Sequence, residues 1–319
     1  MNLNLLVENL TNPALLFFFL GILAKLFKSD LEIPENTSKF ISLYLLFSIG
    51  FKGGQELSHD ALSVEIITSL FFGFFISLII PLYTFYILKK KLSIYDSGAI
   101  AAAYGSVSAV TFVTATSYLE SVKLSLHGHM VAVMALMESP AIIMGLILIS
   151  IHNKEMKIKK SGILKHSLTN GSVFLIIGSL IIGYIATAKQ AEGIKPFTTD
   201  IYKGFLAIFL LDMGLVSGSK LKSFFQFGWF PIVFAIVVPL FNGILFAYLS
   251  QWVTLDVSNR FIFAVLAASA SYIAVPAAMK INVPQANPSL YLPMALALTF
   301  PVNITIGMPV YYYVINNFS

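Results

Sequence analysis

The stretch Ser48-Ile49-Gly50-Phe51-Lys52-Gly53-Gly54-Gln55-Glu56-Leu57 has a counterpart 164 residues later, Asp212-Met213-Gly214-Leu215-Val216-Ser217-Gly218-Ser219-Lys220-Leu221. Each phrase closes an apolar run. Two runs further on, Gly105-Ser106-Val107-Ser108-Ala109 and Ser269-Ala270-Ser271-Tyr272-Ile273-Ala274 interrupt otherwise apolar stretches with small, hydroxyl-bearing residues. Two matches in register predict an internal duplication.

Apolar runs on either side of these phrases predict helices over roughly 12 to 28, 38 to 56, 61 to 88, 96 to 119 and 127 to 151. The rhythm returns at roughly 169 to 188, 200 to 219, 228 to 251, 259 to 280 and 289 to 316. The expected fold is therefore an all-α polytopic membrane protein of ten transmembrane helices. A unit of five crossings ends on the opposite face from where it began, so the second copy enters inverted. The expected division is a first repeat over 1–152, a basic linker over 153–168 and a second, inverted repeat over 169–319, with the fourth and ninth helices broken.

Composition requires lipid as the main solvent. Of 319 residues, 57% are hydrophobic and 11% charged, with a mean hydropathy of +0.84. A bilayer core needs about 20 apolar residues per helical crossing, so this length holds about ten crossings and no large soluble domain. The net charge of +5 does not point to nucleic acid, because the basic residues sit between apolar runs. The chain has no cysteine, which excludes disulfides, thiolate metal sites and cysteine nucleophiles. The first ten residues lack a basic n-region, so no cleavable signal is expected.

Those basic residues report orientation. Lys25, Lys28, Lys39, Lys89, Lys90, Lys91, Lys154, Lys157, Lys159, Lys160, Lys165, Lys220, Lys222 and Lys280 fall on one side of the predicted membrane. Lys52, Lys123, Lys189, Lys195, Lys203 and Arg260 fall on the other. The positive-inside rule puts the first set, and with it the loop from Ile151 to Leu168, in the cytoplasm, and both termini outside. An inner (plasma) membrane location follows, and that loop is a topology determinant or a docking surface.

Gly and Ser clusters at mid-membrane depth need a reason, since an unbroken helix satisfies all its backbone groups. Breaks near Gly105, Ser106, Val107 and Ser108, and near Ser269, Ser271, Tyr272 and Ala274, would aim two half-helix N-termini at one midplane cavity. With the hydroxyls of Ser106, Ser108, Thr111, Ser269 and Ser271, such amides can replace the hydration of a small anion without a buried cation. Pro276 suits the first turn of a resumed half-helix. Two acids lie at depth, Glu138 and Asp212. Either could bind a cation or carry a proton, with Ser108 and Ser271 as neighbours. Asp96, Glu120, Asp256 and Arg260 read as boundary residues. No motif for ATP hydrolysis or intramembrane hydrolysis is present, so the chain is expected to be a transporter, without a cofactor, and not an enzyme.

At these segments the sequence resembles the sodium-dependent bicarbonate transporter family of cyanobacteria and other bacteria, the SbtA type. The resemblance is carried by Ile49-Gly50-Phe51-Lys52-Gly53-Gly54, Tyr104-Gly105-Ser106-Val107-Ser108, Tyr118-Leu119-Glu120, Glu138-Ser139-Pro140-Ala141 and Val283-Pro284-Gln285-Ala286-Asn287-Pro288-Ser289-Leu290-Tyr291. It implies a homotrimer with an elevator-like cycle and a site for bicarbonate and sodium where two broken helices cross. Gly105, Ser106, Ser108, Thr111, Ser269, Ser271 and Ala274 would line that site. Glu138 stands where the family has an aspartate. Ser269-Ala270-Ser271-Tyr272 stands where it has Ser-Ser-Ser-Asp, which removes an acid and opens a proton-coupled carrier of another small carboxylate as the alternative. A non-transporting membrane sensor is a second alternative. The resemblance also implies a PII-like cytosolic regulator.

Overall fold

The computed structural model describes residues 11–59, 63–153 and 171–318. Among them the secondary structure is helical throughout. The basic segment expected at 153–168 lies outside the described residues apart from Asn153. The elements are α1 (Pro13–Leu26), α2 (Glu35–His59), α3 (Val64–Leu88), α4 (Ile94–Gly105), α5 (Ala109–Ser121) and α6 (His129–His152). They continue with α7 (Gly171–Ile185), the short α8 (Ala188–Glu192), α9 (Tyr202–Phe224), α10 (Trp229–Leu249), α11 (Val257–Ala268), α12 (Ala274–Asn282) and α13 (Pro288–Asn317).

Local chemistry sets many of these starts. Asn12 accepts a hydrogen bond from the Ala14 amide at 3.0 Å, with Pro13 in the first turn of α1, where its missing N–H costs little. Ser93 caps α4 from the Asp96 amide, and Asp256 caps α11 from the Asn259 amide at 2.8 Å. α13 contains two π-helical stretches, Met294–Thr299 and Asn303–Gly307.

Among the described residues six elements are long and apolar enough to cross a membrane: α3, the α4–α5 pair, α6, the span Pro196–Lys220 that includes α9, the span Trp229–Trp252 that includes α10, and α13. Helices α1, α7 and α11 are apolar but shorter. On α10, Val233, Val237, Phe241, Ile244 and Tyr248 recur every three or four residues and all face outward. A stripe of that size would be a liability in water and is the natural outer face in lipid.

The helices pack in two sets. α1 lies along α9 and α2 along α7, with α2 also touching α9. Separately, α3 packs with α4 and α6, while α10 packs with α11 and α13. The broken segments are innermost: Ala99, Ile100, Ala101, Ala102 and Ala103 on α4 and Phe261, Ile262, Phe263, Ala264 and Val265 on α11 are 0% exposed. The paired helices meet through glycine. A methyl on Gly214 would strike the Phe18 carbonyl and approach Gly21 Cα at 3.1 Å, and one on Gly183 would strike the Phe51 carbonyl and approach Gly54 Cα at 3.1 Å. Such small-residue contacts let helix backbones approach closely where no hydrophobic effect drives them together.

Gly214→Val is therefore expected to destabilise the α1–α9 pair by about 1–3 kcal/mol through overpacking. Gly178→Val, where an added Cβ meets nothing within 4 Å, is the control and leaves stability unchanged. Thermal unfolding of both variants in detergent checks this.

Candidate functional site

Both interruptions expected from the sequence are real breaks in the helices. α4 ends at Gly105 and α5 starts at Ala109; between them Ser106 and Ser108 have extended backbones, with ψ of 179° and 109°. α11 ends at Ala268 and α12 starts at Ala274, with Ser269 extended at ψ 165°. The breaks cross and hydrogen-bond each other. The Ser271 amide donates to the Ala103 carbonyl at 2.8 Å, and the Ser108 amide donates to Ser269 Oγ at 3.1 Å. Asn303 Nδ2 on α13 donates to the Ala268 carbonyl at 2.6 Å, and Tyr311 donates to Asn303 Oδ1 at 2.7 Å. Backbone groups freed by unwinding at this depth thus find partners within the protein.

Each half-helix that resumes is only partly capped. Ser108 Oγ accepts from the Thr111 amide at 3.1 Å, and Ser271 Oγ accepts from the Val275 amide at 3.4 Å. Among the described residues the amides of Ala109, Val110 and Ala274 find no hydrogen-bond acceptor. Pro276 has none to offer. Ala109 and Ala274 both lie on a narrow cleft of about 410 Å³, its mouth included. Two helix N-termini therefore reach one cleft, which favours negative charge there.

Of the residues expected at the site, Val107, Ser108, Ser271, Tyr272, Ala274 and Glu138 line this cleft. Gly105, Ser106, Thr111 and Ser269 are buried behind it, in the joint. Gly105 packs on Pro81 of α3, leaving no room for a side chain. Ser106 donates to the Glu138 carbonyl at 3.4 Å, and Ser269 donates to the Leu266 carbonyl at 2.9 Å while accepting from Ser108. Asp212 stands apart on α9, 5% exposed, and accepts a hydrogen bond from Ser38 at the start of α2. The Tyr272 hydroxyl is buried and has no hydrogen-bond partner among the described residues.

Glu138 lies on α6 beside the first break, where its backbone carbonyl accepts from Ser106. Among the described residues its carboxyl group makes no hydrogen bond or ion pair. The cleft also takes in Leu46, Met134, Ser172, Ile176 and Ile273, from α2, α6, α7 and the second break. These carry no signal in the sequence, being ordinary residues of apolar helices that meet only in the tertiary fold.

Two of the boundary residues make specific contacts. Arg260 is 2% exposed and donates to the Ala247 carbonyl at 3.0 Å. Asp96 joins two segments: its carboxylate accepts from the Asn287 amide at 2.7 Å, and Asn287 in turn caps α13 from the Ser289 amide. The polar run 283–291 thus connects α12 to α13 and is tied to the start of α4.

Ser269→Ala is expected to leave the buried Ser108 amide without its acceptor and to cost about 1–3 kcal/mol, while Ser269→Thr retains the bond. Comparing the thermal stability of the two variants checks it.

A family model described as the Na+-dependent bicarbonate transporter superfamily matches residues 13–316. No curated protein matches the chain.

Proposed function

The chain belongs to the Na+-dependent bicarbonate transporter superfamily and is a membrane transporter, not an enzyme; we propose that it takes up bicarbonate with sodium by an elevator-like movement. The observation that carries this reading is the unpaired Glu138 carboxylate on a cleft that also receives two half-helix N-termini. Oriented amides of Ala109 and Ala274 would hold the anion, with the Ser108 and Ser271 hydroxyls beside them. Glu138 and the carbonyls of the unwound segments would hold the cation. An acid left unpaired at membrane depth is costly, by at least about 2.5 kcal/mol on insertion scales, which fits a functional charge better than a structural one.

In this proposal the ten segments form two inverted five-helix repeats. The exchange of partners supports it: the first helix pairs with the seventh, and the second with the sixth, through Gly21–Gly214 and Gly54–Gly183 respectively. α1, α2, α7 and α9 would form a scaffold against which the set carrying both breaks moves. A homotrimer in the inner membrane, with both termini outside, remains part of this reading; so does the docking of a PII-like regulator on the cytoplasmic loop.

Asp212 favours a second reading. Its carboxyl group is buried and accepts a hydrogen bond from Ser38, so a proton-coupled carrier of another small carboxylate would place its proton there.

Uptake of labelled bicarbonate into proteoliposomes under an imposed sodium gradient tests the first reading against an imposed pH gradient. Sodium-driven uptake is expected, with Glu138→Gln weakening the sodium dependence more than Ser106→Ala lowers the maximal rate, because a lost charge in low dielectric exceeds a lost neutral hydrogen bond. Uptake indifferent to sodium but abolished by Asp212→Asn under a pH gradient would transfer the conclusion to the second.

A further inference from the structure

At the end of the fold remote from the cleft, one carboxylate holds two cations. Glu120, in the last turn of α5, lies 3.0 Å from Lys203 Nζ and 3.5 Å from Lys52 Nζ. Lys52 also stands over the Tyr202 ring, 5.9 Å from its centre. The two lysines belong to α2 and α9, and those helices are tied together: Tyr44 donates to the Phe197 carbonyl and its ring packs on Phe197 and Phe205. Glu120 belongs to a helix that packs on α11 and α13 of the other set and touches α2 at its edge. The ion pairs therefore bridge the two helix sets.

Their position relative to the cleft follows from helix direction. The cleft reaches Ser172, in the first turn of α7. Gln55, one turn beyond Lys52, donates to the carbonyls of Gly183 and Ala186 at the other end of α7. Fifteen residues of helix separate these ends by about 20 Å. Similarly, α5 begins on the cleft at Ala109 and ends at Glu120. The cleft thus extends toward one face of the molecule while the Glu120 cluster spans the two helix sets at the other. Between the cluster and the crossing point lies a second cleft of about 320 Å³, walled by Thr114 and Ser117 on α5 and by Leu206 and Leu210 on α9.

We propose that Glu120, Lys52 and Lys203 form an ionic gate that closes the face opposite the cleft, and that it must part when the two helix sets move. The proposal rests on the transporter reading for its role in a cycle. Half-exposed pairs of this kind are individually weak, which suits a contact that has to break on every turnover. When the gate parts, both lysines lose their carboxylate at an entrance where an anion arrives.

The chain has no cysteine, so Thr114→Cys provides a single thiol beneath the gate. Its labelling by a membrane-impermeant maleimide is expected to be slow. Adding Glu120→Gln should speed it about three- to tenfold, as should Lys52→Gln with Lys203→Gln, and all three together should add nothing more. High salt should speed labelling with the gate intact and not in the Glu120→Gln background. Reversal of the pair, Glu120→Lys with Lys52→Glu and Lys203→Glu, should restore slow labelling, which guards against a simple folding defect. Labelling indifferent to Glu120→Gln overturns the gate. Bicarbonate uptake is measured on the same preparations: a labelling response without uptake supports the gate and retires the transport reading, and uptake without a labelling response does the reverse.

Discussion

The structure depends on the two hydrogen bonds that join its interruptions, Ser271 N–H to the Ala103 carbonyl and Ser108 N–H to Ser269 Oγ. A chain that unwinds inside a bilayer has no water to satisfy its backbone, so a single broken helix there would be untenable. Two breaks that cross can satisfy each other. Each takes from its partner what the missing helical turn would have provided, and Asn303 on α13 satisfies a remaining carbonyl. Because the crossing absorbs these groups, the amides of Ala109 and Ala274 are left beside the cleft.

The same economy explains the glycines. α1 and α9, and likewise α2 and α7, approach so closely at Gly21–Gly214 and Gly54–Gly183 that their backbones are nearly in contact. Dispersion over such a contact is the main attraction open to helices that lipid solvates equally well apart. Between the helix sets the contacts are mixed: ion pairs at Glu120, a cleft lined from both sides, a close Gly53–Gly128 approach and a Ser217 hydrogen bond to the Leu296 carbonyl.

The helices and their interruptions were legible in the sequence because each has a local cause. Apolar runs mark the helices. The Gly105-to-Ser108 and Ser269-to-Ala274 clusters mark breaks that fall within a residue or two of where the backbone extends. Pro276 lies in the first turn of α12, as a resumed helix allows. The division of labour within those clusters was not legible. Ser106 and Ser269 look like Ser108 and Ser271 in sequence, yet one pair serves the joint and the other the cleft, a distinction set by which way each faces after the helices cross. The burial of Arg260 was hidden for a related reason. A cation near a helix start reads as interfacial, and its burial against the Ala247 carbonyl depends on α10, which is close in space but a turn away in the chain.

The proximity of Glu138 to the amide ends gives a physical reason for coupling on the proposed reading. An anion drawn toward Ala109 and Ala274 meets a carboxylate in the same narrow cleft, and two like charges a few ångströms apart repel by about 4 kcal/mol at 4 Å even at an effective dielectric of 20. That repulsion is comparable to the attraction two partly capped helix ends can provide, so the anion alone gains little by entering. A cation on Glu138 removes the repulsion and adds an attraction of similar size. The anion then binds well only when the cation is present, and neither needs to touch the other. Tyr272 adds a neutral hydroxyl to this balance and leaves its sign to Glu138.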